Sequence, residues 1–446
     1  MSFPRYQSYK DSGVEWLGEV PGHWDLPKLK HFTRFFGGGT PSRDNLQYWN
    51  GDIPWVSPKD MKTETIDSSE EAITASGLEN SSSSLIPSDR LLMVVRSGIL
   101  KHTLPVAINE VPVALNQDMK ALDFNREQCN AKFFLRWVQG LNDLLLLAWA
   151  KQGATVESIE HAYLAETIVP LPSIGEQQTI AAFLDRGTAK IDALIAEQQR
   201  LIELLKEKRQ AVISHAVTKG LNPDAPMKDS GIEWLGEVPE HWDILPIKRV
   251  ASICYGIGEP PQYQSEGTPL IRATNVHNGQ LFEDGLVFVN PSDIPERRIV
   301  WLSAGDIIVV RSGAYTGDSA IIPENYGPCI AGFDMVLRCN AAPPRFVQYA
   351  LLSKYLKEGQ IDLEKMRAAQ PHLNAEELGG SIIVLPSSNK EQTEIVSFLD
   401  LETAKLDTLT AEAQRAITLL QERRTALISA AVTGKIDVRG LVLSDR

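Results

Sequence analysis

Two arginines stand in the same short context. Arg96-Ser97-Gly98 follows the apolar run LLMVV, and Arg311-Ser312-Gly313 follows DIIVV. An arginine and turn amides just past an apolar strand can grip a phosphate. The same arginine can close a buried ion pair with a carboxylate, and both readings stand. A second cationic stretch, LPKLKHFTRFFGGGTPSR at Leu26–Arg43, carries Lys28, Lys30, Arg34 and Arg43 with no acidic residue, in a chain whose net charge is −13. A local positive field of this kind matters more to a polyanionic partner than the overall charge. Covalent or metal chemistry has no such footing. The eight histidines are scattered, and Cys129, Cys254, Cys329 and Cys339 form no CxxC pair. No GxSxG, HExxH or phosphate loop occurs, the Gly434-Lys435 pair being followed by isoleucine. GIGEPP at Gly256–Pro261 has proline where a dinucleotide loop needs its third glycine. The Asn-Pro-Pro-aromatic motif of amino-methyltransferases is missing, and Pro223-Asp224 has no nuclease partner downstream. These residues point to binding, and no catalytic constellation stands out among them.

The elements that must position them come in duplicate. KDSGVEWLGEVPGHWD at Lys10–Asp25 returns as KDSGIEWLGEVPEHWD at Lys228–Asp243, identical at fourteen of sixteen positions. Glu176–Gly220 (EQQTIAAFLDRGTAKID…AVTKG) returns as Glu391–Lys435 (EQTEIVSFLDLETAKLD…AVTGK). Asp118-Met119 likewise matches Asp334-Met335, so the chain is a tandem duplication. In the Glu176 and Glu391 copies apolar residues recur every three or four positions, the stripe of an amphipathic helix. Gly187 suggests a break in the first copy, with Thr188 as N-cap of a helix running to about Val217. Thirty residues at ~1.5 Å each make a rod of ~45 Å, and two such stripes should pair antiparallel. The alternative is that each stripe packs on its own globule. Between the repeated segments, IPWVS, LLMVVRSG, PVALNQDMKAL, PLIRATNV, DIIVVRSG and PCIAGFDMVLRC read as short strands, and Lys132–Lys151 and Pro344–Gly359 as helices. The fold class is α+β.

With 446 residues, several domains are expected, and 43% hydrophobic with 23% charged residues is ordinary for a globular protein. MSFPRYQSYKD has no apolar signal core, and the run LLLLAWA is too short to cross a bilayer, so the expected compartment is the cytoplasm with no membrane partner.

The two KDSGxEWLGEVPxHW segments, the EQxxIxxFLDxxTAKxD helix openings and the AVTG-like endings resemble the specificity subunits of type I restriction–modification systems, and the likeness runs through essentially the whole chain. FFGGGTPSRDNLQYWNGDIPWVSPKDM at Phe35–Met61 is similar to one large class of that family's target recognition domains; YGIGEPPQYQSEGTPLIRATNV at Tyr255–Val276 departs from it. The resemblance implies two pseudo-symmetric target recognition domains, 1–172 and 223–386, separated by two long antiparallel helices, 173–222 and 387–446, that form a coiled-coil spacer. Each domain would read one half of a split, asymmetric double-stranded DNA site. The helices would set the gap and dock two methyltransferase subunits, through which two restriction subunits can join. This chain would be non-catalytic and carry no cofactor. S-adenosylmethionine would come with the methyltransferase, and ATP with magnesium with a restriction subunit. A helical scaffold that binds no DNA, or an enzyme with an unrecognised site, are the rival readings.

Residues identical in both copies cannot easily tell two sequences apart, so Trp16/Trp234, Pro21/Pro239 and Trp24/Trp242 are expected to pack or to face a shared partner. Base readers should be polar or aromatic loop residues that differ. In the first domain these are Thr40, Ser42, Arg43, Tyr48, Lys59, Lys62, Lys101, His102, Gln117 and Lys120, with Arg34 and Arg96 as further DNA contacts. In the second they are Gln262, Tyr263, Arg272, Asn275, His277, Tyr315, Thr316, Arg367, Gln370 and His372, with Arg311. The duplication also predicts that a Met1–Pro226 half dimerises through its helix.

Overall fold

A computed structural model of the protein describes residues 3–365 and 371–441. Its longest elements are the helices Ile174–Lys219 and Asn389–Val432, of 46 and 44 residues. The break expected at Gly187 is absent. The first helix runs through it, and the Thr188 hydroxyl donates to the Leu184 carbonyl one turn back instead of capping a new start. Glycine is there for space: a Cβ on Gly187 would lie 3.0 Å from Leu427 Cδ2 of the second long helix. Leu427 can yield, and alanine is the better helix former by about 1 kcal/mol. Gly187→Ala is therefore expected to leave helix content intact and the melting temperature unchanged or higher, as circular dichroism would show.

Contacts divide the chain into two compact units, Met1–Gln198 with Arg415–Arg446, and Gln199–Gln414. Each unit thus takes the first half of one long helix and the last half of the other. In the first unit Ile180 and Leu184 share a core with Ile428, Ala431 and Val432. Gly187 faces Leu427 and Asp192 pairs with Arg424 at 2.9 Å, so the two helices run antiparallel there. In the second unit Ile213 and Val217 share a core with Ile395 and Leu399, and Arg209 pairs with Asp407. The stripes pair, and each also packs on a globule. Leu194, Leu201, Leu204, Leu401, Leu409 and Leu419 remain exposed on the helix surfaces.

The repeated motifs are anchors. In the first unit the carboxylate of Glu176, almost wholly buried, accepts from Trp24 Nε1 (3.1 Å), the Tyr6 hydroxyl (2.8 Å) and His23 Nε2 (2.9 Å). In the second, Glu391 meets Trp242 Nε1 (3.0 Å) and His241 Nε2 (2.8 Å). Trp24 and Trp242 are fully buried, whereas Trp16 lies against Trp137 and Trp234 is stacked on Tyr355 with much of its indole exposed. The Phe-Leu-Asp triplets are explained too. Asp185 receives two bonds from buried Arg136 (3.0 and 2.7 Å), which also holds Glu64 at 2.7 Å, and Asp400 pairs with Arg345 and accepts from Tyr349 at 2.6 Å. Burial works to raise Glu64, yet the hydrogen bonds of Arg136 and Gln139 and the charges of Arg136 and Arg424 hold it below the usual carboxylate range.

The copies differ at one cap. Asn130 caps the helix Ala131–Gly140 with its side chain, while its own N–H donates to Gln177 Oε1 at 2.8 Å. At the corresponding start of Pro344–Leu352 stands Pro343, which has no N–H and no capping group, and the buried Gln392 Oε1 has no partner. Pro343→Asn supplies both a cap and a donor, each worth about 1 kcal/mol. It is expected to raise the melting temperature of the second unit by a few degrees in a calorimetric scan.

Each unit is built on an open sheet. In the first the order is Thr33–Gly37, Met119–Phe124, Leu91–Val94, Val106–Asn109, Thr65–Ile66, and a smaller sheet holds Trp49–Val56 between Ala72–Ile73 and Ala114–Leu115. In the second the order is Ala251–Tyr255, Met335–Cys339, Ile307–Val309, Ser319–Ile321, with a separate four-stranded sheet around Thr268–Ile271 and Cys329–Ala331.

Candidate nucleic-acid interface

In each sheet one end gathers three loops. Lys120 is opposite Gly37 and Met119 opposite Val94, so the segment 38–43, the Asn116-Gln117-Asp118 turn and Arg96 lie together in the first unit. Tyr255 and Val309 both face Met335, which brings Gly256, Arg311 and Phe333-Asp334 together in the second.

The glycine run in FFGGGTPS is required by closeness. A Cβ on Gly38 would sit 1.9 Å from the Asn116 carbonyl oxygen. Two tryptophans then hold the loop by its carbonyls: Trp55 Nε1 donates to Gly39 O at 2.9 Å and Trp49 Nε1 to Ser42 O at 3.0 Å. Arg43 lies 3.9 Å above the Trp49 ring and 5.2 Å from that of Trp55, and pairs with Glu71 through both nitrogens. The hydrogen bond raises the arginine's pKa and lowers that of Glu71. Thr40 donates to Gln117, and Arg96 pairs with Asp118 at 2.8 Å. Lys62 meets Glu70 at 3.1 Å and Lys101 meets Glu157 at 3.4 Å; Lys59 and His102 are exposed, Tyr48 and Lys120 half-buried.

The acid-free stretch Leu26–Arg43 is not acid-free in space. Lys28 binds Glu166 at 2.6 Å and Lys30 joins it, their hydrogen bonds holding that carboxylate at about 2. Of its cations, only Arg34 is without a carboxylate among the described residues. The other pairs are largely exposed and so hold their cations only weakly. Arg96 lies in an ion pair with Asp118 that is half exposed.

Two second-domain candidates are corrected. Asn275 is wholly buried: its side chain accepts from Arg272 N (3.2 Å) and donates to the Phe282 (3.0 Å) and Asp284 (3.3 Å) carbonyls, so it ties a turn and presents nothing outward. Thr316 is buried as well, its hydroxyl donating to Gly313 O at 2.7 Å and directed at Pro371 O. Arg367 and Gln370 lie outside the described residues. Gln262 and Tyr263 are exposed, and Arg272 lies 5.3 Å over Tyr263 with a bond to Gly285 O. His277 bonds Asp318 at 2.6 Å and packs edge-on to the exposed Tyr315, while Asp318 also holds Lys357 at 2.5 Å. His372 bridges to Ser312. Arg311 lies 3.9 Å over Phe333 and 4.7 Å over Tyr255.

Sequence reasoning passed over Glu71, Tyr255, Phe333 and Lys357. Tyr255 and Phe333 carried a signal, since they stand where the first copy has Gly37 and Gln117. No group of three or more metal-ligating side chains occurs among the described residues, and no helix there is long and apolar enough to cross a membrane.

Comparison with known proteins places this geometry. The family model for the type I restriction modification DNA specificity domain matches residues 21–204 and again 239–419. The specificity subunit of the type I restriction enzyme EcoR124I/EcoR124II of Escherichia coli is 40% identical over 200 residues, 44% of this chain and 46% of that protein, so this match spans about half of each. The MjaIX specificity subunit of Methanocaldococcus jannaschii is 23% identical over 438 residues, 95% of this chain and 96% of its own. Among solved structures, one concerned with complex assembly and conformational transition of the type I R-M system aligns with TM-score 0.71 at 16% identity, covering 93% of this chain and 98% of that one. The HsdS subunit from Thermoanaerobacter tengcongensis aligns with TM-score 0.50 at 16% identity over 94% and 98%. At that identity the structures speak for the fold. The sequence match, taken twice over most of the length, decides the family: the chain belongs to the type I restriction–modification DNA specificity proteins and carries their specificity domain in each half.

Proposed function

We propose that the two units read the two halves of a bipartite, asymmetric double-stranded DNA site, and that the long helices carry two methyltransferase subunits to it. The observation that carries this reading is the pair of matched specificity domains whose corresponding sheet ends bear different side chains: Gly37 and Gln117 in one, Tyr255 and Phe333 in the other. A common scaffold with divergent loops is what two different half-sites require. Exposed leucines on the helices, Leu194, Leu201, Leu204, Leu409 and Leu419, supply apolar surface for the methyltransferase partners. The chain's own share is recognition. S-adenosylmethionine enters with the methyltransferase, and ATP and magnesium with any restriction subunit that joins. The test is methylome sequencing of cells that express this chain with its cognate methyltransferase, against cells lacking the chain. A two-part motif with a fixed unread gap, present only with the chain, supports the reading. A stable complex that leaves no new motif rejects it in favour of a scaffold.

A further inference from the structure

The repeated Arg-Ser-Gly motif does different work in its two copies. In the first unit Arg96 lies at ion-pair distance from a carboxylate, its Nε 2.8 Å from Asp118 Oδ1. In the second unit the matching aspartate, Asp334, is buried and turned inward, where its Oδ1 accepts the backbone N–H of Arg311 at 3.1 Å. No carboxylate forms an ion pair with the Arg311 guanidinium among the described residues, Asp334 acting on it only through its charge. Two rings take over its placement, Phe333 at 3.9 Å and Tyr255 at 4.7 Å. Both rings are more than two-fifths exposed, at 42% and 43%, and Tyr255 is fixed by the Ala375 N–H donating to its hydroxyl at 2.9 Å. Nε is buried and unpartnered, while Cζ sits over the two aromatic rings at the loop end of the sheet, where the next residue, Ser312, bridges to His372.

An arginine stacked in this way has lost rotamer freedom before any ligand arrives, so little ordering cost remains at binding. A rigid fork of donors with no acceptor of its own matches the O6 and N7 acceptors of guanine in the major groove, and the rings that hold it, absent from the first unit, favour a base, which differs between half-sites, over a phosphate, which does not. We infer that Arg311, held by Phe333 and Tyr255, is a specificity-determining residue that reads a guanine in the second half-site, while its twin Arg96 is structural. This rests on the reading that the chain recognises DNA.

The test uses the whole chain with its methyltransferase, carrying Arg311→Lys, Arg311→Ala or Arg96→Ala. Methylome sequencing gives the motif, and binding is measured on the native duplex and on duplexes altered at each base. Arg311→Lys keeps a cation on the rings but loses the fork. Both Arg311 variants are expected to relax one G·C position of the second half-site, with the first half-site unchanged. Preference for that base should fall by roughly 10- to 100-fold, and Arg96→Ala, in the first unit, should leave the second half-site as it was. Equal weakening on every sequence, with the salt dependence reduced by about one phosphate contact, would assign Arg311 to the backbone and overturn the inference. An unchanged motif, or relaxation in the first half-site, would overturn it as well. Absence of any two-part motif with the unaltered chain is a different result, and it counts against DNA recognition itself.

Discussion

Glu176→Ala is expected to destabilise the first unit by about 3–5 kcal/mol, and Glu391→Ala the second by only about 1–3 kcal/mol. The same motif residue is involved in both, but its surroundings differ. Removing Glu176 leaves the fully buried Trp24 indole N–H and the buried Tyr6 hydroxyl without an acceptor, each at the cost of an unsatisfied buried donor. Glu391 keeps one such donor, Trp242, and its side chain is 28% exposed against 6% for Glu176, so water can enter. Urea denaturation followed by tryptophan fluorescence measures both. Equal losses would refute the account, and Tyr6→Phe should shrink the Glu176→Ala loss towards that of Glu391→Ala. The phenol gives a second readout. Burial first, then the bond to Glu176, push the Tyr6 hydroxyl far above the ordinary tyrosine range. A pKa raised by folding contributes stability that is complete below the unfolded value of ~10 and is lost as pH rises beyond it. Alkaline unfolding of the first unit should therefore move to higher pH in Tyr6→Phe.

A fragment of residues 1–226 is expected to be a stable dimer at micromolar concentration, where an isolated 46-residue helix with an uncovered stripe would leave its core incomplete. The ion pairs foretell the register. Asp192 with Arg424 and Arg209 with Asp407 are the same pair seen twice, because Asp192 matches Asp407 and Arg209 matches Arg424 in the duplication. A dimer of the fragment would place Asp192 of one copy against Arg209 of the other, twice. Analytical ultracentrifugation decides the matter: a monomer with its helix folded at high concentration contradicts the pairing. Asp192→Arg should weaken the dimer by about 10-fold through two like-charge contacts, and adding Arg209→Asp should restore it.

The duplication, the two long helices and most strands could be read directly, because they depend on local periodicity and on repeats within one chain. What escaped depends on partners far away in sequence. Gly187 looked like a break since nothing nearby in the sequence reveals Leu427, which leaves a Cβ there only 3.0 Å. Lys28 and Lys30 looked like free cations because Glu166 arrives from 136 or more residues on. Asn275 and Thr316 have the side chains of base readers, and only the fold shows that their hydrogen bonds close inside the protein. Tyr255 and Phe333 show their part only in the fold, which leaves both exposed and brings Arg311 over them.

The exchange of helix halves sets an order of assembly. Residues 199–414 form a unit whose parts are contiguous in the chain. The first unit needs Ile428, Ala431 and Val432 for its core, and Asp437 N–H donates to Pro4 O at 2.8 Å. At roughly 5–20 residues per second, a ribosome takes about 10–40 s to travel from Gln198 to Arg415. During that time the globule translated first waits, unfinished, while the one translated second has everything it needs. A released chain ending at Gln414 should therefore be cut by protease in its earlier half and resist in its later one.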